Sequence, residues 1–435
     1  MGVTCVIEFD NNPHGTYFAG QVMTGKVTLR LDKVKIVKAV TLNISGFAET
    51  HWTESRRQND KTSSDTFRGR EDYVATQTYL LGSNESAQVN LEAGIHVYSF
   101  TCQLPVVCPS SIEGTYGRVR YMTKVALVRP WKFDQSYTRC FTVLKLMDLN
   151  YDSPILRVGA HCETQKIYCC WPCHSEPLKL ELSVPQTGFV PGQTIPIGIL
   201  AANDSHIRVE QLQISLVMLV TYYAQHLSRT HSRNERFVVS RLLGEAVPNH
   251  CKKQFNYGMR VPATPPTCFN LCRIVQIAYL LEVVAKVKGC HKDEQLGMPL
   301  TIGSIPLLGH MQELPLGPNR QPLNVQGFAN PVNMPTAPSP DAPWEVDCNI
   351  PPPNYEEAVH MRSTNRAVDE FDGTAPPNTL SLDENGFTPL YAVFDVPSPT
   401  APIDYTEGPL NNNNNNNNNN EPGKSDMNNS KGTWL

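Results

Sequence analysis

The chain has a net charge of −4, and hydrophobic residues occupy 40% of its positions. Its length of 435 residues is typical of two or three domains. No uninterrupted apolar run reaches the length of a bilayer-spanning helix, and the first residues lack the pattern of a secretory signal. With 13 cysteines and no export signal, we expect reduced thiols in the cytoplasm.

Charge is distributed unevenly along the chain. From Pro315 onward there are 15 acidic and 5 basic side chains, whereas the preceding body holds 26 acidic and 32 basic ones. An acidic segment stays solvated when it is unfolded, and it can also lie on a basic face of a folded body. The sequence leaves both interpretations open.

Apolar residues recur with a period of two in the first third of the chain. The stretches 27–31, 40–44, 98–104 and 121–127 alternate apolar and other residues, with Gly, Pro, Asn or Ser between the stretches. This pattern is typical of half-buried antiparallel strands. Because a sheet with one apolar face must bury that face against another, the pattern predicts a β-sandwich.

The second half of the body repeats the first. Phe18-Ala19-Gly20-Gln21 returns as Phe189-Val190-Pro191-Gly192-Gln193, and the stretch 98–105 returns at 255–262 with the same apolar spacing and a final proline. Each copy continues with a loop rich in Pro, Ser and Thr, then with a strand that opens near a tyrosine. A copy of about 150 residues can bury its own core, so we predict two domains of one kind.

Two polar segments fit the strand pattern poorly. His51 to Arg70 is rich in Ser, Arg and Asp, which indicates a long exposed loop or insertion. Ser228 to Arg236 is interpreted as a basic loop at the matching place in the second copy.

After Leu308 the composition changes. More than half of the 35 prolines lie beyond this point, and Asn411 to Asn420 is an uninterrupted asparagine run. Such sequence cannot bury enough apolar area to offset its ordering entropy. We therefore expect a disordered, proline-rich tail.

The most informative short motif in this tail spans Pro351 to Glu357. Consecutive prolines favour a polyproline II helix, which loses little entropy when a partner binds it. Pro352, Pro353 and Tyr355 form the Pro-Pro-x-Tyr pattern of WW-domain ligands, in which an aromatic groove accepts the prolines and a neighbouring pocket accepts the tyrosine. The alternative is a proline-rich spacer that happens to contain a tyrosine.

Thr388-Pro389-Leu390-Tyr391 is a degenerate second copy of the motif. Threonine replaces the first proline, so we expect at most weak WW binding through Pro389 and Tyr391. Two sites on one tail would still give avidity for a partner with several WW domains. Tyr391 and Phe394 also fit the loose tyrosine-x-x-bulky pattern of endocytic sorting signals.

The cysteines near the middle of the chain suggest metal binding only weakly. Cys170, Cys173 and His174, with Cys162 or Cys169, would supply four zinc ligands, but a structural zinc site usually has two spaced pairs. Buried thiols at a strand entrance, or lipid acylation of exposed ones, explain the cluster at least as well. We therefore predict no metal and no cofactor.

Catalytic and nucleic-acid-binding patterns are also missing from the sequence. There is no glycine-rich phosphate loop, nucleophile elbow or His-Glu-x-x-His, and the 12 histidines are scattered. The basic surplus of the body is small, and the arginines and lysines between residues 56 and 70 are interleaved with acids. We predict neither an enzyme nor a nucleic-acid-binding protein.

Four stretches follow one another along the first part of the chain: Tyr17–Val22, Pro109–Gly114, Tyr116–Tyr121 and Arg129–Trp131. In this order they resemble the N-terminal domain motifs of the arrestin superfamily. Cys169 to Cys173 and the Pro-Pro-x-Tyr motif resemble the alpha-arrestin, or arrestin domain-containing, branch in particular. The resemblance covers roughly residues 3 to 308 and the tail motifs.

This resemblance implies an all-β protein with two tandem immunoglobulin-like β-sandwich domains. The expected N-terminal domain covers residues 1–148 and the expected C-terminal domain covers 178–308. A hinge or linker at 149–177 joins them, and the disordered tail covers 309–435.

The resemblance also implies a cytoplasmic adaptor that is not an enzyme. The domains would engage cytoplasmic tails of membrane receptors or transporters, and this cargo would bring the protein to the plasma membrane and endosomes. The tail would recruit a WW-domain, HECT-type ubiquitin ligase, so that the cargo is ubiquitinated, internalised and sorted. Two alternatives stay open: a regulatory protein that sequesters a soluble redox partner such as thioredoxin through a cysteine, and a retromer-like coat subunit.

Overall fold

A computed structural model describes residues 2–10, 12–58, 61–83, 88–151, 153–168, 176–307, 354–358 and 387–394. Within these ranges the chain forms strands β1 to β22 and a short 3₁₀ helix, Pro154–Arg157. The all-β prediction is confirmed for this part of the chain. No helix in it is long and apolar enough to cross a bilayer.

The N-terminal domain contains β1 to β11. Their bounds are Val3–Phe9, Thr16–Phe18, Val22–Leu31, Lys35–Val37, Ala39–Gln58, Lys61–Gly82, Val89–Leu91, Gly94–Gln103, Ile112–Glu113, Gly117–Val128 and Gln135–Leu144. One sheet has the order β1-β3-β8, and the other contains β6-β5-β10-β11-β2. In β3 the alternate residues Met23, Val27 and Leu29 are fully buried, as the period of two predicts.

The C-terminal domain contains β12 to β20. Their bounds are Ala160–Lys166, Leu178–Val184, Gly188–Phe189, Thr194–Asn203, Val209–His226, Arg229–Leu243, Cys251–Arg260, Val275–Val287 and Glu294–Ile302. One sheet has the order β12-β13-β15-β18. The other contains β14-β20-β19-β16, with β17 paired to β16.

A buried tyrosine fixes the loop that precedes a central strand in both domains. The Tyr121 hydroxyl donates to the carbonyl oxygen of Pro109 at 2.7 Å, and the Tyr279 hydroxyl donates to that of Pro265 at 2.5 Å. Both rings are almost completely buried, so each hydroxyl needs a partner inside the protein. The repeat that is visible in the sequence therefore recurs as a matching hydrogen bond.

The loops predicted at 51–70 and at Ser228–Arg236 are strands instead. The first is the outer half of the β5–β6 hairpin, which stays paired up to its tip, and the second lies mostly in β17. Most of the outer-hairpin side chains whose burial is described, at 51–55 and 64–70, are exposed, so the sequence shows no alternation there. The buried ones among them are Trp52 and Phe67, whose rings stack at 5.3 Å, and the ring of His226 from β16 lies 5.0 Å from that of Phe67.

The linker prediction, residues 149–177, is corrected in its middle part. Ala160–Lys166 is β12, an edge strand of the C-terminal domain that pairs with β13 over its whole length. Its residues alternate between half-buried and exposed, so it lacks the fully buried row that marks the other strands. The connection between the domains is therefore shorter than predicted, and residues 169–175 lie outside the described residues.

The disordered-tail prediction is corrected at two short segments. Asn354–Glu357 forms β21 and Leu390–Val393 forms β22, and the two strands pair antiparallel. We call this pair the tail hairpin. Of the predicted tail, residues 309–435, the structure describes 354–358 and 387–394.

One sheet continues from the N-terminal into the C-terminal domain. β6 pairs with β16 at Arg68 and Gln225, and the Thr50 hydroxyl donates to the carbonyl oxygen of Tyr223 at 2.7 Å. Two carboxylates reinforce this junction: Glu235 of β17 accepts from the backbone amide of Thr115 at 3.3 Å, and Glu71 of β6 accepts from an exposed arginine, Arg273, at 2.7 Å. The two domains thus share both a backbone and a side-chain contact.

Replacing Tyr121 with Phe should destabilise the N-terminal domain. The substitution keeps the ring but leaves the buried carbonyl of Pro109 without this donor, which costs about 1–3 kcal/mol. Differential scanning calorimetry should show a lower unfolding temperature. Tyr151→Phe is the matched control because that side chain is exposed; equal unfolding temperatures for both variants would contradict the role of the hydrogen bond.

Candidate functional site

The tail hairpin contacts both domains. On one side the backbone amide of Leu390 donates to the hydroxyl of Thr142, in β11 of the N-terminal domain, at 3.1 Å. On the other side the amide of Phe394 donates to the carbonyl oxygen of Pro191, in the C-terminal domain, at 2.9 Å. We call the surface that receives the hairpin the interdomain cleft; it includes Ser111, Thr142, Pro191 and Gly192.

Tyr391 is the central side chain of the cleft. It is 1% exposed, and its hydroxyl donates to the carbonyl oxygen of Ser111 at 2.8 Å. Burial, followed by the proximity of Tyr279 and Glu113, raises the pKa of Tyr391 well above its ordinary value. The phenol is therefore a fixed, protonated donor inside the protein.

A buried ion pair holds the loop that carries Ser111. The Arg120 guanidinium donates to both carboxylate oxygens of Glu113, at 2.8 and 2.7 Å, and Arg120 is 5% exposed. Desolvation lowers the pKa of Arg120, but the hydrogen bonds and the charge of Glu113 outweigh it and the pKa is raised. The amide of Ser111 also donates to the carbonyl oxygen of Val143 at 2.8 Å, so the acceptor for Tyr391 has a fixed position.

Phe394 requires a glycine in the C-terminal domain. Gly192 has a φ of +93°, and a Cβ at this position would overlap the carbonyl oxygen of Phe394. Both the left-handed backbone and the close approach therefore favour glycine. Gly20 at the equivalent turn of the first repeat also has a positive φ, but a Cβ there would meet Val106 of the same domain.

Tyr355 is held against the body by its neighbour strand. It pairs with Ala392 in the tail hairpin, and its ring is half-buried with its centroid 6.1 Å from that of His14. Burial raises the pKa of Tyr355 to about 12. Its strand neighbours Asn354 and Glu356 are exposed, so the tyrosine is the part of β21 that the body covers.

Comparisons with known proteins agree with this architecture. Residues 5–150 match the family described as arrestin (or S-antigen), N-terminal domain, and residues 174–307 match arrestin (or S-antigen), C-terminal domain. Arrestin domain-containing protein 17 of Caenorhabditis elegans is 29% identical over 69% of this chain and 70% of its own length. Arrestin domain-containing protein 4 of Homo sapiens is 25% identical over 85% and 84% of the two chains.

The chain belongs to the alpha-arrestin family. Human thioredoxin-interacting protein is also similar, with 25% identity over 84% of this chain and 88% of that protein. These findings confirm the predicted family and the two tandem β-sandwich domains.

The structure brings together only part of the predicted tail sites of this alpha-arrestin. Pro352 and Pro353 lie outside the described residues, whereas Pro389, Tyr391 and Phe394 are all buried. Weak WW binding or sorting through the last three residues stays a prediction, and it would require the cleft to open. A run of five apolar residues, 390–394, within a polar tail is the sequence signal for a buried strand here.

The zinc candidates Cys170, Cys173 and His174 lie outside the described residues. Among the residues that are described, no group of three or more His, Cys, Asp or Glu side chains is arranged to hold a metal ion. None of the described cysteines forms a disulfide, and Cys290 is exposed. The described part of the body thus offers an accessible thiol at Cys290.

Replacing Tyr391 with Ala should release the tail hairpin. The change removes a buried ring and its hydrogen bond to Ser111. Truncation of a buried aromatic side chain to alanine typically costs about 3–5 kcal/mol in a well-packed site. Hydrogen exchange should then accelerate at the amides of Leu390 and Phe394, which both donate to the body. Tyr151→Ala, at an exposed position, should leave these amides protected; unchanged exchange in Tyr391→Ala would show that the ring does not anchor the hairpin.

Proposed function

We propose that this alpha-arrestin is a non-enzymatic adaptor that links membrane cargo to a WW-domain, HECT-type ubiquitin ligase. The observation that carries the proposal is the Pro-Pro-x-Tyr motif of Pro352, Pro353 and Tyr355 in a tail attached to two arrestin domains. Polyproline geometry and a tyrosine ring are the two features that WW domains recognise. Similarity to arrestin domain-containing proteins supports the adaptor class.

The adaptor acts by proximity and makes or breaks no bond itself. The two domains hold a cytoplasmic tail of a receptor or transporter, and the tail motif holds the ligase, so ubiquitin transfer takes place at a high effective concentration of cargo. A single short peptide of this kind usually binds with about micromolar affinity, or about −8 kcal/mol. Such affinity allows reversible recruitment.

In this proposal the protein is cytoplasmic and reaches the plasma membrane and endosomes through its cargo. Ubiquitination at the plasma membrane would lead to internalisation, and ubiquitination on endosomes would direct sorting. The protein therefore associates with membranes peripherally and needs no cofactor for this role.

A second candidate is regulation of a soluble redox partner such as thioredoxin. The observation in its favour is the similarity to human thioredoxin-interacting protein, together with the exposed thiol of Cys290. A mixed disulfide would form between this thiol and a disulfide of the partner, releasing one partner thiol. Pull-downs under reducing and oxidising conditions separate the two candidates, since cargo adaptation should not depend on a thiol.

A peptide of residues 348–360 should bind WW domains of HECT-type ligases, and its Tyr355→Ala variant should bind at least ~10-fold more weakly. Loss of a buried aromatic ring at a peptide interface accounts for a decrease of this size. Calorimetric titration measures both affinities. Asn354→Ala changes the variable position of the motif and serves as the control; equal binding by the parent peptide and Tyr355→Ala would remove the ligase from the proposed function.

A further inference from the structure

The tail hairpin places the proposed ligase-binding tyrosine beside a segment that fills the interdomain cleft. We propose that this cleft is a binding site for the chain's own Pro-x-Tyr-x-x-Phe segment, residues 389–394, and that its occupation excludes a WW domain from Tyr355. The exclusion rests on the proposed function, whereas the binding of the segment to the cleft stands independently of it.

The bound conformation of Tyr355 is incompatible with WW-domain binding. A WW domain takes its ligand in the polyproline II conformation and receives the tyrosine ring in a pocket. In the structure Asn354–Glu357 is a β-strand that is paired with Leu390–Val393, and the Tyr355 ring is half-buried near His14. The ring must leave the body before the ligase can take it.

β22 anchors Tyr355 because the two strands of the tail hairpin pair along their full length. The pairing extends by one more hydrogen bond, from the amide of Ala358 to the carbonyl oxygen of Pro389 at 2.9 Å. An isolated two-stranded hairpin is at best marginally stable in water, so the burial of β22 in the cleft accounts for the stability of β21. Release of β21 is therefore coupled to the seating of β22.

The cleft matches the chemistry of this segment at three separate points. The carbonyl oxygen of Ser111 accepts from the Tyr391 hydroxyl, the hydroxyl of Thr142 accepts from the amide of Leu390, and the missing side chain of Gly192 leaves room for Phe394. Pro389 is buried as well. The ligand that fits is thus an extended peptide with a proline, an unmodified tyrosine two residues later and a phenylalanine three residues after that.

The consequence for affinity follows from the population of the open state. When only a fraction of molecules is competent to bind, the apparent dissociation constant rises by the inverse of that fraction. Two nearly completely buried aromatic rings, Tyr391 and Phe394, stabilise the closed state. We expect the intact chain to bind a WW domain at least ~10-fold more weakly than the free peptide of residues 348–360 does.

The first experiment compares affinities for one WW domain by calorimetric titration. The samples are the free peptide of residues 348–360, the intact chain, and the intact chain with Tyr391→Ala and Phe394→Ala. The double variant changes only tail residues, and it should bind as tightly as the peptide. Tyr405→Ala, a tail tyrosine outside the tail hairpin, is the control and should bind like the unmodified chain. Equal affinity of the unmodified chain and the peptide would overturn the exclusion.

The second experiment follows the cleft by hydrogen exchange in the unmodified chain. Addition of a WW domain should accelerate exchange at the amides of Leu390 and Phe394, which donate to the body. A WW domain that binds while these amides stay protected would also overturn the exclusion.

The third experiment tests the cleft without any ligase. A synthetic peptide of residues 387–394 should bind the double variant, whose own segment no longer fills the cleft, and the same peptide with Tyr391→Phe should bind more weakly because it lacks the donor to Ser111. Failure of the parent peptide to bind would overturn the cleft as a peptide site. Failure of the peptide of residues 348–360 to bind any WW domain would instead remove the proposed function and leave the cleft standing.

Discussion

One six-residue segment, the loop Pro109–Gly114 with the two-residue strand β9 inside it, contacts both the core of the N-terminal domain and the tail. Three buried side chains hold it from different directions: the Tyr121 hydroxyl at the carbonyl of Pro109, the Arg120 guanidinium at the carboxylate of Glu113, and the Tyr391 hydroxyl at the carbonyl of Ser111. The first two contacts come from β10 of the same domain and do not involve the tail. The third comes from almost 300 residues further along the chain. Because the loop is rigid, its carbonyl at Ser111 is a ready acceptor, and a donor that reaches it gains a hydrogen bond without ordering the loop.

The duplication of the domains explains why the cleft can receive a tail at all. Both copies have a glycine of positive φ, Gly20 or Gly192, in the turn that precedes a long strand, β3 in the first copy and β15 in the second. In the first copy Val106 of the same domain covers the turn, whereas in the second copy the tail covers it through Phe394. The turn itself therefore needs glycine in both places, and in the C-terminal domain the same lack of a side chain also admits a partner. The glycine that the turn requires at position 192 is thus also part of the interdomain cleft.

The sequence predicted the strands that bury one face and missed those that do not. Alternation marked β3, β8 and β10 because each presents an apolar row to a core, and the repeat identified the second domain for the same reason. Among the side chains of the outer β5–β6 hairpin whose burial is described, at 51–55 and 64–70, only Trp52 and Phe67 are buried, and β12 has no fully buried side chain, so neither showed the pattern. The sequence identified the tail motifs, but it did not indicate which residues of the body contact them. Ser111 and Thr142 contribute a carbonyl and a hydroxyl, and nothing in their local sequence indicates that a segment 280 or 248 residues away will meet them.

The tail strands β21 and β22 form because the two domains bury β22, and not because the tail sequence itself favours strands. Four-residue strands joined by a connection of more than 30 residues pay a large loop-closure entropy for few hydrogen bonds, and proline-rich flanks oppose strand extension. What offsets this cost is burial of Tyr391 and Phe394 in a site that two domains build together. Any change in the relative position of the loop at Ser111 and the turn at Gly192 would weaken both ends of β22 at once, because one end is held by each domain. The accessibility of Tyr355 is thus linked through β22 to the geometry of the domain pair, and a ligand that altered this geometry would change how readily the tail is released.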